Sequence, residues 1–369
     1  MKFDNPTQVM QYAINLAQKG LGYVEPNPAV GSVIVDDGLN LLGAGYHEKY
    51  GEAHAEINAL RQAGDAARGA TLYVTLEPCC HQGKTGPCAE AVIQAGISRV
   101  VIAQEDPAEW VAGKGIAQLK QAGIEVEVGL LGEEARQLNA PFIKQVTTKQ
   151  PYLLAKWAMT WDGKLAARTG SSQWISGPES RSIVHQLRGC MDGVLVGAGT
   201  VAADDPLLTA RPAGPRTATR IVIDSRASLS LDSQLVQTIT QAPVLLCTSE
   251  SAPAEKLKQL RDAGVDIWQG KLTEEGRLDW NEVLLELGRR EMTNVLVEGG
   301  GAIFASLHEV SAIDEVHLFL APKLVGGRDA ITPLEGEGLP AIPQQADLRD
   351  IQIEITGDDI YLRGRLQRP

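Results

Sequence analysis

Apolar and polar positions along the chain form two series of strand-like and helix-like segments. In the first series, apolar runs predict strands at 29–37, 41–49, 70–78, 99–106 and 124–131, the first two as a hairpin around Gly38. Apolar side chains recur at helical spacing near the N-terminus and at 54–67, 88–96 and 113–123. This alternation predicts an α/β fold whose sheet is mostly parallel, apart from the opening hairpin.

A polar stretch that ends at Pro151 separates the two series, and we place a domain boundary near 147–150. The second series predicts helices at 178–190 and 302–310, a closing hairpin at 351–367, and strands at 151–160, 191–200, 219–227, 242–249, 293–301 and 314–322. A chain of 369 residues is too long for one ordinary core, which favours two domains, 1–147 and 150–369.

Composition narrows the class of function. Hydrophobic and charged residues make up 44% and 22% of the chain, as in a soluble globular protein, and no apolar run is long enough for a membrane span. The N-terminal segment is an amphipathic helix without the apolar region of a signal peptide, so we expect a cytoplasmic protein with reduced cysteines. The net charge of −12, with no long basic run, disfavours nucleic acid and favours a small-molecule partner.

His54, Glu56, Cys79 and Cys88 form the most reactive combination in the sequence. His54 and Glu56 begin one predicted helix, Cys79 follows a buried strand, and Cys88 opens the next helix, where the positive dipole end favours a thiolate. One imidazole and two thiolates leave a fourth zinc position open for water. Glu56 would take the proton from that water and deliver it to a leaving amine. The cluster therefore predicts a hydrolytic zinc site.

Two other interpretations of this cluster are open. In the first, His54 is an ordinary residue at the start of a helix, and the cysteines are small buried apolar side chains. In the second, a purely structural zinc recruits a fourth protein ligand, for which Cys80 and His81 are available. Glu56 would then have no role.

The pattern His-Ala-Glu at 54–56 with Glu-Pro-Cys at 77–79 resembles the zinc nucleobase deaminases, except that the second cysteine comes nine residues after the first. The longer loop, PCCHQGKTGPC at 78–88, resembles one bifunctional deaminase–reductase family of riboflavin biosynthesis. That family usually has Ser where this chain has Cys80, so the resemblance assigns the metal to His54, Cys79 and Cys88. It also implies a cytidine-deaminase-like α/β/α fold for the first domain.

Other residues of the first domain acquire roles only through this resemblance. Residues 26–35 and the Gly-Tyr-His sequence at 45–47 resemble the substrate-binding segments of the family. The resemblance implies that Asn27 hydrogen-bonds the pyrimidine. It also implies that His47, Lys84 and Thr85 approach the ribose phosphate.

The second half contains no G-x-G-x-x-G between a strand and a helix, so the motif does not indicate a Rossmann site. Residues 294–307 instead predict a buried strand, a three-glycine turn and a helix. From the residues alone, two interpretations of the turn are open. It is either an anion site formed by backbone amides at a helix N-terminus, or a tight turn whose glycines supply positive φ.

Several segments of the second half, among them 159–166, 171–176, 199–211, 221–225, 297–301 and 321–327, resemble the reductase domain of the same family. The resemblance implies a dihydrofolate-reductase-like α/β fold and an NADPH cofactor. The implied NADPH contacts are Ala158, Trp174, Thr200, Asp204, Ser225, Gly300, Gly301, Ala302, Ile303, Phe304, Ala305 and Ser306. The implied substrate contacts are Ser172, Arg188, Leu208, Arg211 and Glu298.

The chemistry of five basic residues in the second half adds to this picture. Arg188 and Arg211 suit a bidentate grip on the ribose phosphate. Lys156 is an additional candidate near the substrate, with an ordinary surface lysine as the alternative. We interpret His185 and His317, which lie in apolar-rich elements, as structural histidines.

The resemblance spans nearly the whole chain and implies a homo-oligomeric bifunctional enzyme. It would deaminate a pyrimidine ribosyl phosphate with zinc and then reduce the ribosyl side chain with NADPH. The rival hypotheses are a nucleic-acid-directed zinc deaminase with a C-terminal binding module, a regulatory zinc-and-nucleotide sensor, and a deaminase whose reductase half is inactive. The sequence pattern does not indicate a basic pocket for a 2′-phosphate, so the residues do not distinguish NADPH from NADH.

Overall fold

A computed structural model of the chain describes residues 1–80, 86–108, 111–345 and 347–367. The chain divides into two compact units, Met1–Lys149 and Gln150–Pro369. Within the described ranges, no helix is both long and apolar enough to cross a membrane.

The first unit is built on a five-stranded sheet in the order β2-β1-β3-β4-β5. Its strands are β1 (Gly31–Val35), β2 (Leu41–Tyr46), β3 (Thr71–Val74), β4 (Arg99–Ile102) and β5 (Glu125–Val128). Its α-helices are α1 (Pro6–Ala17), α2 (Ala55–Ala63), α3 (Cys88–Gln94), α4 (Lys114–Gln121), α5 (Gly132–Leu138) and α6 (Ala140–Thr148). The predicted strand–helix alternation is confirmed.

Consecutive residues of a strand point to opposite faces of the sheet. Both faces of this sheet carry apolar side chains, and helices cover both of them. In β1, Ile34 belongs to the apolar cluster that includes α2, α3 and α4, whereas Val33 and Val35 belong to the cluster that includes α1 and α5. The same alternation continues in β3 and β4. The first unit is therefore an α/β/α sandwich, as expected.

Two local features of the first unit differ from the predicted pattern. β1 is antiparallel to β3 as well as to β2, so parallel pairing begins only at β3 with β4. The stretch before Pro151, interpreted from the sequence only as polar, contains α6, and α6 is separated from α5 by Asn139 alone. The buried Asn139 amide donates to the carbonyl oxygen of Ala29 and accepts from its N–H, at 3.0 and 2.9 Å. This pairing holds the segment before β1 in place.

The second unit contains a nine-stranded sheet in the order β10-β9-β8-β7-β11-β6-β12-β14-β13. The strands are β6 (Tyr152–Thr160), β7 (Gly193–Gly197), β8 (Thr219–Ile223), β9 (Val244–Ser249), β10 (Asp266–Gly270), β11 (Asn294–Val297), β12 (Glu315–Ala321), β13 (Leu348–Thr356) and β14 (Asp359–Leu366). The helices are α7 (Pro178–Arg188), α8 (Ala198–Asp204), α9 (Gln234–Gln237), α10 (Ala254–Asp262), α11 (Trp280–Arg289) and α12 (Gly301–Glu309). Neighbouring strands from β10 to β12 are parallel, whereas β14 is antiparallel both to β12 and to β13.

The core of the second unit lies between the central strands and the helices α11 and α12. Leu153, Leu195 and Val295 from the sheet pack with Leu287 and Phe304 from these helices. On the opposite side, Asp359 is buried and its Oδ2 accepts hydrogen bonds from Gly177 N–H and the Ser180 hydroxyl at the start of α7. This carboxylate fixes the helix that ends at Arg188.

Candidate active sites

Three side chains from separate segments of the first unit meet at one point. His54 directly precedes α2, Cys79 follows β3 in the chain, and Cys88 is the first residue of α3. Their ligand atoms all lie within 4.8 Å of one another, and His54 Nδ1 is 3.6 Å from Cys79 Sγ and 3.3 Å from Cys88 Sγ. One imidazole and two sulfur atoms at this spacing fit a zinc ion with a fourth position left for water.

Glu56 lies in the first turn of α2, beside this cluster, and is only 3% exposed. Burial raises the pKa of the Glu56 carboxyl to about 7, and the negative charge of Cys79 acts in the same direction. A carboxyl group that both gains and loses a proton near neutral pH is suited to general acid–base chemistry.

The two thiols are coupled to each other. The Cys88 thiol donates a hydrogen bond that, with the Cys88 N–H at 3.3 Å, lowers the pKa of Cys79 to about 4. The same contact with Cys79, together with burial, raises the pKa of Cys88. A bound divalent cation favours the thiolate form of both, since only the deprotonated sulfur is a good ligand.

A cavity of about 260 Å³ opens onto the cluster, with Asn27, His47, Tyr50, Asp106 and Phe142 in its lining. His47 Nδ1 donates to the Ala53 carbonyl at 3.2 Å, and His47 Nε2 therefore accepts from the Asn27 amide at 3.3 Å. The structure thus brings Asn27 and His47 together at the predicted metal site. Lys84, Thr85 and His81 lie outside the described residues.

Glu77 and Asp106 are polar residues of this site that the sequence interpretation leaves without a role. The buried Glu77 carboxylate accepts from the N–H groups of Asp106, Gly113 and Ile116 at 3.0–3.2 Å. It thereby ties the segment that carries Cys79 to the start of α4. The sequence contains one signal for these two residues, which is their position: each acid follows the end of one of the adjacent parallel strands β3 and β4.

A second polar cluster surrounds Glu298, which follows β11 in the chain. Arg188 grips its carboxylate with two hydrogen bonds of 2.5 and 2.9 Å, and Lys156 Nζ lies 3.5 Å away. Burial acts to raise the pKa of Glu298, but the charges of Arg188 and Lys156 outweigh it and hold the pKa at about 2. Burial lowers the pKa of Lys156, so this residue is not an ordinary surface lysine.

Thr209 connects Arg188 to two more basic side chains, His185 and Arg211. Its carbonyl oxygen accepts from Arg188 Nη1 at 3.3 Å and from His185 Nδ1 at 3.2 Å, and its hydroxyl accepts from Arg211 at 3.3 Å. Nearby, the Ser172 hydroxyl donates to Asp204 at 3.2 Å. The predicted substrate residues Arg188, Arg211 and Glu298 therefore form one charged cluster in which His185 also takes part.

His317 differs from His185 in its surroundings. It is 2% exposed, its Nδ1 lies 2.6 Å from the Tyr361 hydroxyl, and its Nε2 lies 3.0 Å from Glu315. These contacts are those of a histidine held within the sheet, as the sequence predicts.

The three-glycine turn after β11 leads into α12, with Gly300 at the N-cap position. Neither Gly299, Gly300 nor Gly301 has a positive φ, so the interpretation of a turn that requires positive φ is wrong. Close packing excludes a side chain instead, because a Cβ on Gly299 would lie 2.7 Å from Ile303 and one on Gly301 2.6 Å from the Thr332 carbonyl oxygen. The N–H groups at the start of α12 suit an anion.

The other predicted NADPH residues differ in their exposure. Ala158 is half-buried in β6, and Trp174 is 64% exposed with the Arg181 guanidinium 4.6 Å from its ring centre. Within α12, Ile303 is half-buried and Ala305 is buried. Phe304 is fully buried, and the Ser306 hydroxyl accepts from Trp280 at 2.9 Å. The side chains of Phe304 and Ser306 thus point into the core, whereas Gly300 is the N-cap residue and Gly301 and Ala302 open the first turn of α12.

Two family models match the chain. The cytidine and deoxycytidylate deaminase zinc-binding region matches residues 4–104, and the RibD C-terminal domain matches residues 151–362. The first match contains His54, Glu56, Cys79 and Cys88, and the second contains Arg188 and Glu298. Each polar cluster therefore lies within one matched region.

Full-length relatives are similar over both units. The riboflavin biosynthesis protein RibD of Actinobacillus pleuropneumoniae is 44% identical over 96% of this chain and 93% of its own length. The structure of Acinetobacter baumannii RibD has a TM-score of 0.86 at 36% identity, covering 98% of this chain and 99% of that one. A Thermotoga maritima diaminohydroxyphosphoribosylaminopyrimidine deaminase/5-amino-6-(5-phosphoribosylamino)uracil reductase has a TM-score of 0.82 at 35% identity and 98% coverage of both chains. Similarity of this extent shows that the chain belongs to the RibD family of bifunctional riboflavin biosynthesis proteins, which join a zinc-binding deaminase domain to a reductase domain.

Proposed function

We propose that this deaminase–reductase acts on two successive pyrimidine ribosyl phosphates. The first unit, which we assign to residues 1–147, hydrolyses the 2-amino group of 2,5-diamino-6-(5-phosphoribosylamino)pyrimidin-4(3H)-one. The second, at 150–369, reduces 5-amino-6-(5-phosphoribosylamino)uracil to the ribitylamino product with NADPH. The names of the matched Thermotoga maritima enzyme support both assignments.

In the deaminase half, His54, Cys79 and Cys88 hold the metal and Glu56 handles the protons. A zinc ion bound there would supply a Lewis acid that lowers the pKa of water at its open position to about 7. Glu56 accepts a proton from the attacking water and returns it to the amino group, which leaves as ammonia. Its buried carboxyl, with a pKa of about 7, is suited to both transfers. Asn27 orients the pyrimidine, and His47, Lys84 and Thr85 face the ribose phosphate.

In the reductase half, the protein contributes orientation. NADPH supplies a hydride, which must meet the sugar C1′ with water excluded. The turn at Gly300, Gly301 and Ala302 receives the pyrophosphate, and Arg188 and Arg211 receive the substrate phosphate. The remaining NADPH contacts are Ala158, Trp174, Thr200, Asp204 and Ser225, and the remaining substrate contacts are Lys156, Ser172, Leu208 and Glu298.

One observation carries the deaminase proposal: a buried carboxyl group lies beside three zinc-type ligand atoms at the end of a cavity. Among the residues that the structure describes, only His54, Cys79 and Cys88 are grouped as such ligands. A three-ligand set leaves a position for water, whereas a structural zinc normally takes four protein ligands.

The test combines zinc analysis with ammonia release from the diamino substrate. Glu56→Gln should retain zinc and lose ammonia release by about 10²- to 10⁴-fold, because the proton carrier is removed and the ligands stay. Glu90→Gln is the matched control, since Glu90 follows Cys88 by the same two positions as Glu56 follows His54 but is exposed. Full ammonia release by Glu56→Gln, or a wild-type chain that binds no zinc, would contradict the proposal.

We further propose that the enzyme is cytoplasmic, self-associates and has no nucleic-acid partner. The net charge of −12 supports small-molecule substrates, and the free state of all five cysteines suits a reducing compartment. Light scattering coupled to gel filtration tests the oligomeric state. A monomeric mass at micromolar concentration would contradict self-association.

A further inference from the structure

Glu77 is a buried acidic residue, 3% exposed, that lies two positions before Cys79. Its Oε2 accepts hydrogen bonds from the N–H groups of Asp106 and Gly113, at 3.2 and 3.0 Å. Its Oε1 accepts from the Ile116 N–H at 3.1 Å. These donors belong to the segment that follows β4 and to the start of α4. One carboxylate therefore joins three separate segments of the first unit.

The start of α4 depends on this carboxylate for its cap. The first N–H groups of a helix have no acceptor within the helix itself. Gly113, at the N-cap position of α4, has no side chain that could accept from them. Glu77 supplies the acceptor from another segment, because it binds the N–H groups of Gly113 and of Ile116, the third residue of the helix. The helix dipole also favours a negative charge at this end.

The contact with α4 extends to Pro78, the residue before Cys79. A Cβ on Gly115, in the first turn of α4, would lie 2.1 Å from the Pro78 carbonyl oxygen. The helix thus packs directly against the backbone that leads into Cys79. Cys79 Sγ accepts from the Cys88 N–H at 3.3 Å. This sulfur atom therefore lies between α4, which supports the chain before it, and α3, which begins at Cys88.

The same carboxylate supports one wall of the cavity that opens onto the metal ligands. Asp106, Ala108 and Val111 are part of the lining of this cavity. Glu77 accepts from the Asp106 N–H, and Asp106 Oδ1 accepts from the Ala108 N–H at 2.8 Å. The Ala108 carbonyl oxygen accepts in turn from the Val111 N–H at 2.8 Å. These hydrogen bonds connect Glu77 to the surface that a substrate in the cavity would contact.

We infer that Glu77 is a positioning residue of the deaminase, which sets the place of the Cys79 sulfur atom relative to the cavity wall. The inference rests on the proposed deaminase function and adds a residue to that site. Backbone donors engage both oxygen atoms of Glu77, so it acts through its neighbours. A merely structural role would alter only the stability of the unit, whereas a positioning role must also alter the surroundings of the metal and the binding of substrate.

Glu77→Gln is the variant that tests this role. It keeps the size of the side chain but replaces one oxygen atom by an NH₂ group, which cannot accept from an N–H. At least one of the three backbone donors is then buried without a partner, so the segments that they hold must shift. Glu105→Gln is the matched control, because Glu105 directly precedes Asp106 but is exposed.

The measurements use the full-length protein, with cobalt(II) in place of zinc for absorption spectra. The bands of thiolate-bound cobalt should shift in Glu77→Gln, and zinc affinity in competition with a chelating dye should fall roughly 10- to 100-fold. At saturating zinc, KM for the diamino substrate should rise roughly tenfold, because the cavity wall moves with Asp106. Glu105→Gln should match the wild type in all three measurements.

Gly115→Ala tests the same junction from the side of the helix, since it keeps Glu77 and adds a methyl group against Pro78. It should shift the cobalt bands as well, and it decides the matter if Glu77→Gln does not fold. The calorimetric transition of the reductase unit should stay unchanged in both variants. Wild-type cobalt bands and KM, accompanied only by a lower unfolding temperature of the first unit, would overturn the inference and leave the proposed function standing. A wild-type protein that binds neither cobalt nor zinc would overturn the proposed deaminase function itself, and this inference with it.

Discussion

Glu298 is the clearest case of a single residue on which a whole cluster depends. Its buried carboxylate stays ionised because two cations, Arg188 and Lys156, surround it. Breaking a buried charge pair by removing one partner costs about 3–5 kcal/mol, since the other charge is left uncompensated. The substrate site and the local stability of the reductase unit therefore share this carboxylate.

We expect Glu298→Gln to lower the reductase transition in scanning calorimetry by roughly 6–12 °C at pH 7, from a loss of about 3 kcal/mol. The pKa of Glu298 is lowered in the fold to about 2. Its stabilising effect is thus present above the ordinary pKa near 4.5 and is lost as the pH falls towards 2. The gap between variant and wild type should shrink over that range. Glu309→Gln, an exposed control, should change little. A gap independent of pH would contradict this account.

Single residues also show how far the sequence could predict the sites. His54 and Glu56 lie close together because both are at the start of the same helix. Cys79 and Cys88 lie close together because they stand at the two ends of one loop, which connects the end of a strand to the start of a helix. Such local signals are legible in a sequence. The pairing of Asn139 with Ala29, 110 positions away, and the contact of Thr209 with His185 depend on tertiary packing. No local pattern indicates them.

The position of the metal site in the first unit depends on the close packing of β2 against α2. Gly45 in β2 lies against α2, and a Cβ at Gly45 would be 2.6 Å from Ala59 N and 2.7 Å from Ala55 O. Backbone atoms cannot move aside as the end of a side chain can. A methyl group at Gly45 must therefore displace the helix whose start carries His54 and Glu56.

We expect Gly45→Ala to destabilise the first unit by about 1–3 kcal/mol and to reduce zinc occupancy and ammonia release together. Zinc content per chain and calorimetry measure the two effects. Ala44→Ser is the neighbouring control, since its side chain lies on the other face of the strand and changes little in size. Wild-type zinc content and stability in Gly45→Ala would show that β2 and α2 separate without cost.

Elements with a regular apolar pattern were predictable, and elements at an edge were not. The helices that begin after His54, at Cys88 and after the glycine turn match their predicted positions closely. Between 250 and 292, our interpretation placed no element, yet α10, β10 and α11 lie there. For α11 the signal existed, because Trp280, Val283, Leu284 and Leu287 recur at helical spacing. β10 is an edge strand with little burial, so it carries no clear alternation.

At the scale of the molecule, the proposed chemistry of the two activities falls on separate compact units. His54, Glu56, Cys79 and Cys88 all belong to Met1–Lys149. Lys156, Arg188, Glu298 and the glycine turn all belong to Gln150–Pro369. Each unit has apolar clusters of its own. Loss of the metal should therefore affect one activity and one unfolding transition.

We expect zinc removal with 1,10-phenanthroline to abolish ammonia release while NADPH oxidation with the deaminated substrate continues. Binding energy that zinc contributes to the folded first unit is lost at the same time, so only that unit's calorimetric transition should move to lower temperature. The non-chelating isomer 1,7-phenanthroline controls for effects of the compound itself, and added zinc should restore ammonia release. If the chelator abolished both activities in parallel, the reductase unit would depend on the metal site. Such a dependence is not expected, because the reductase unit has an apolar core and a charged cluster of its own.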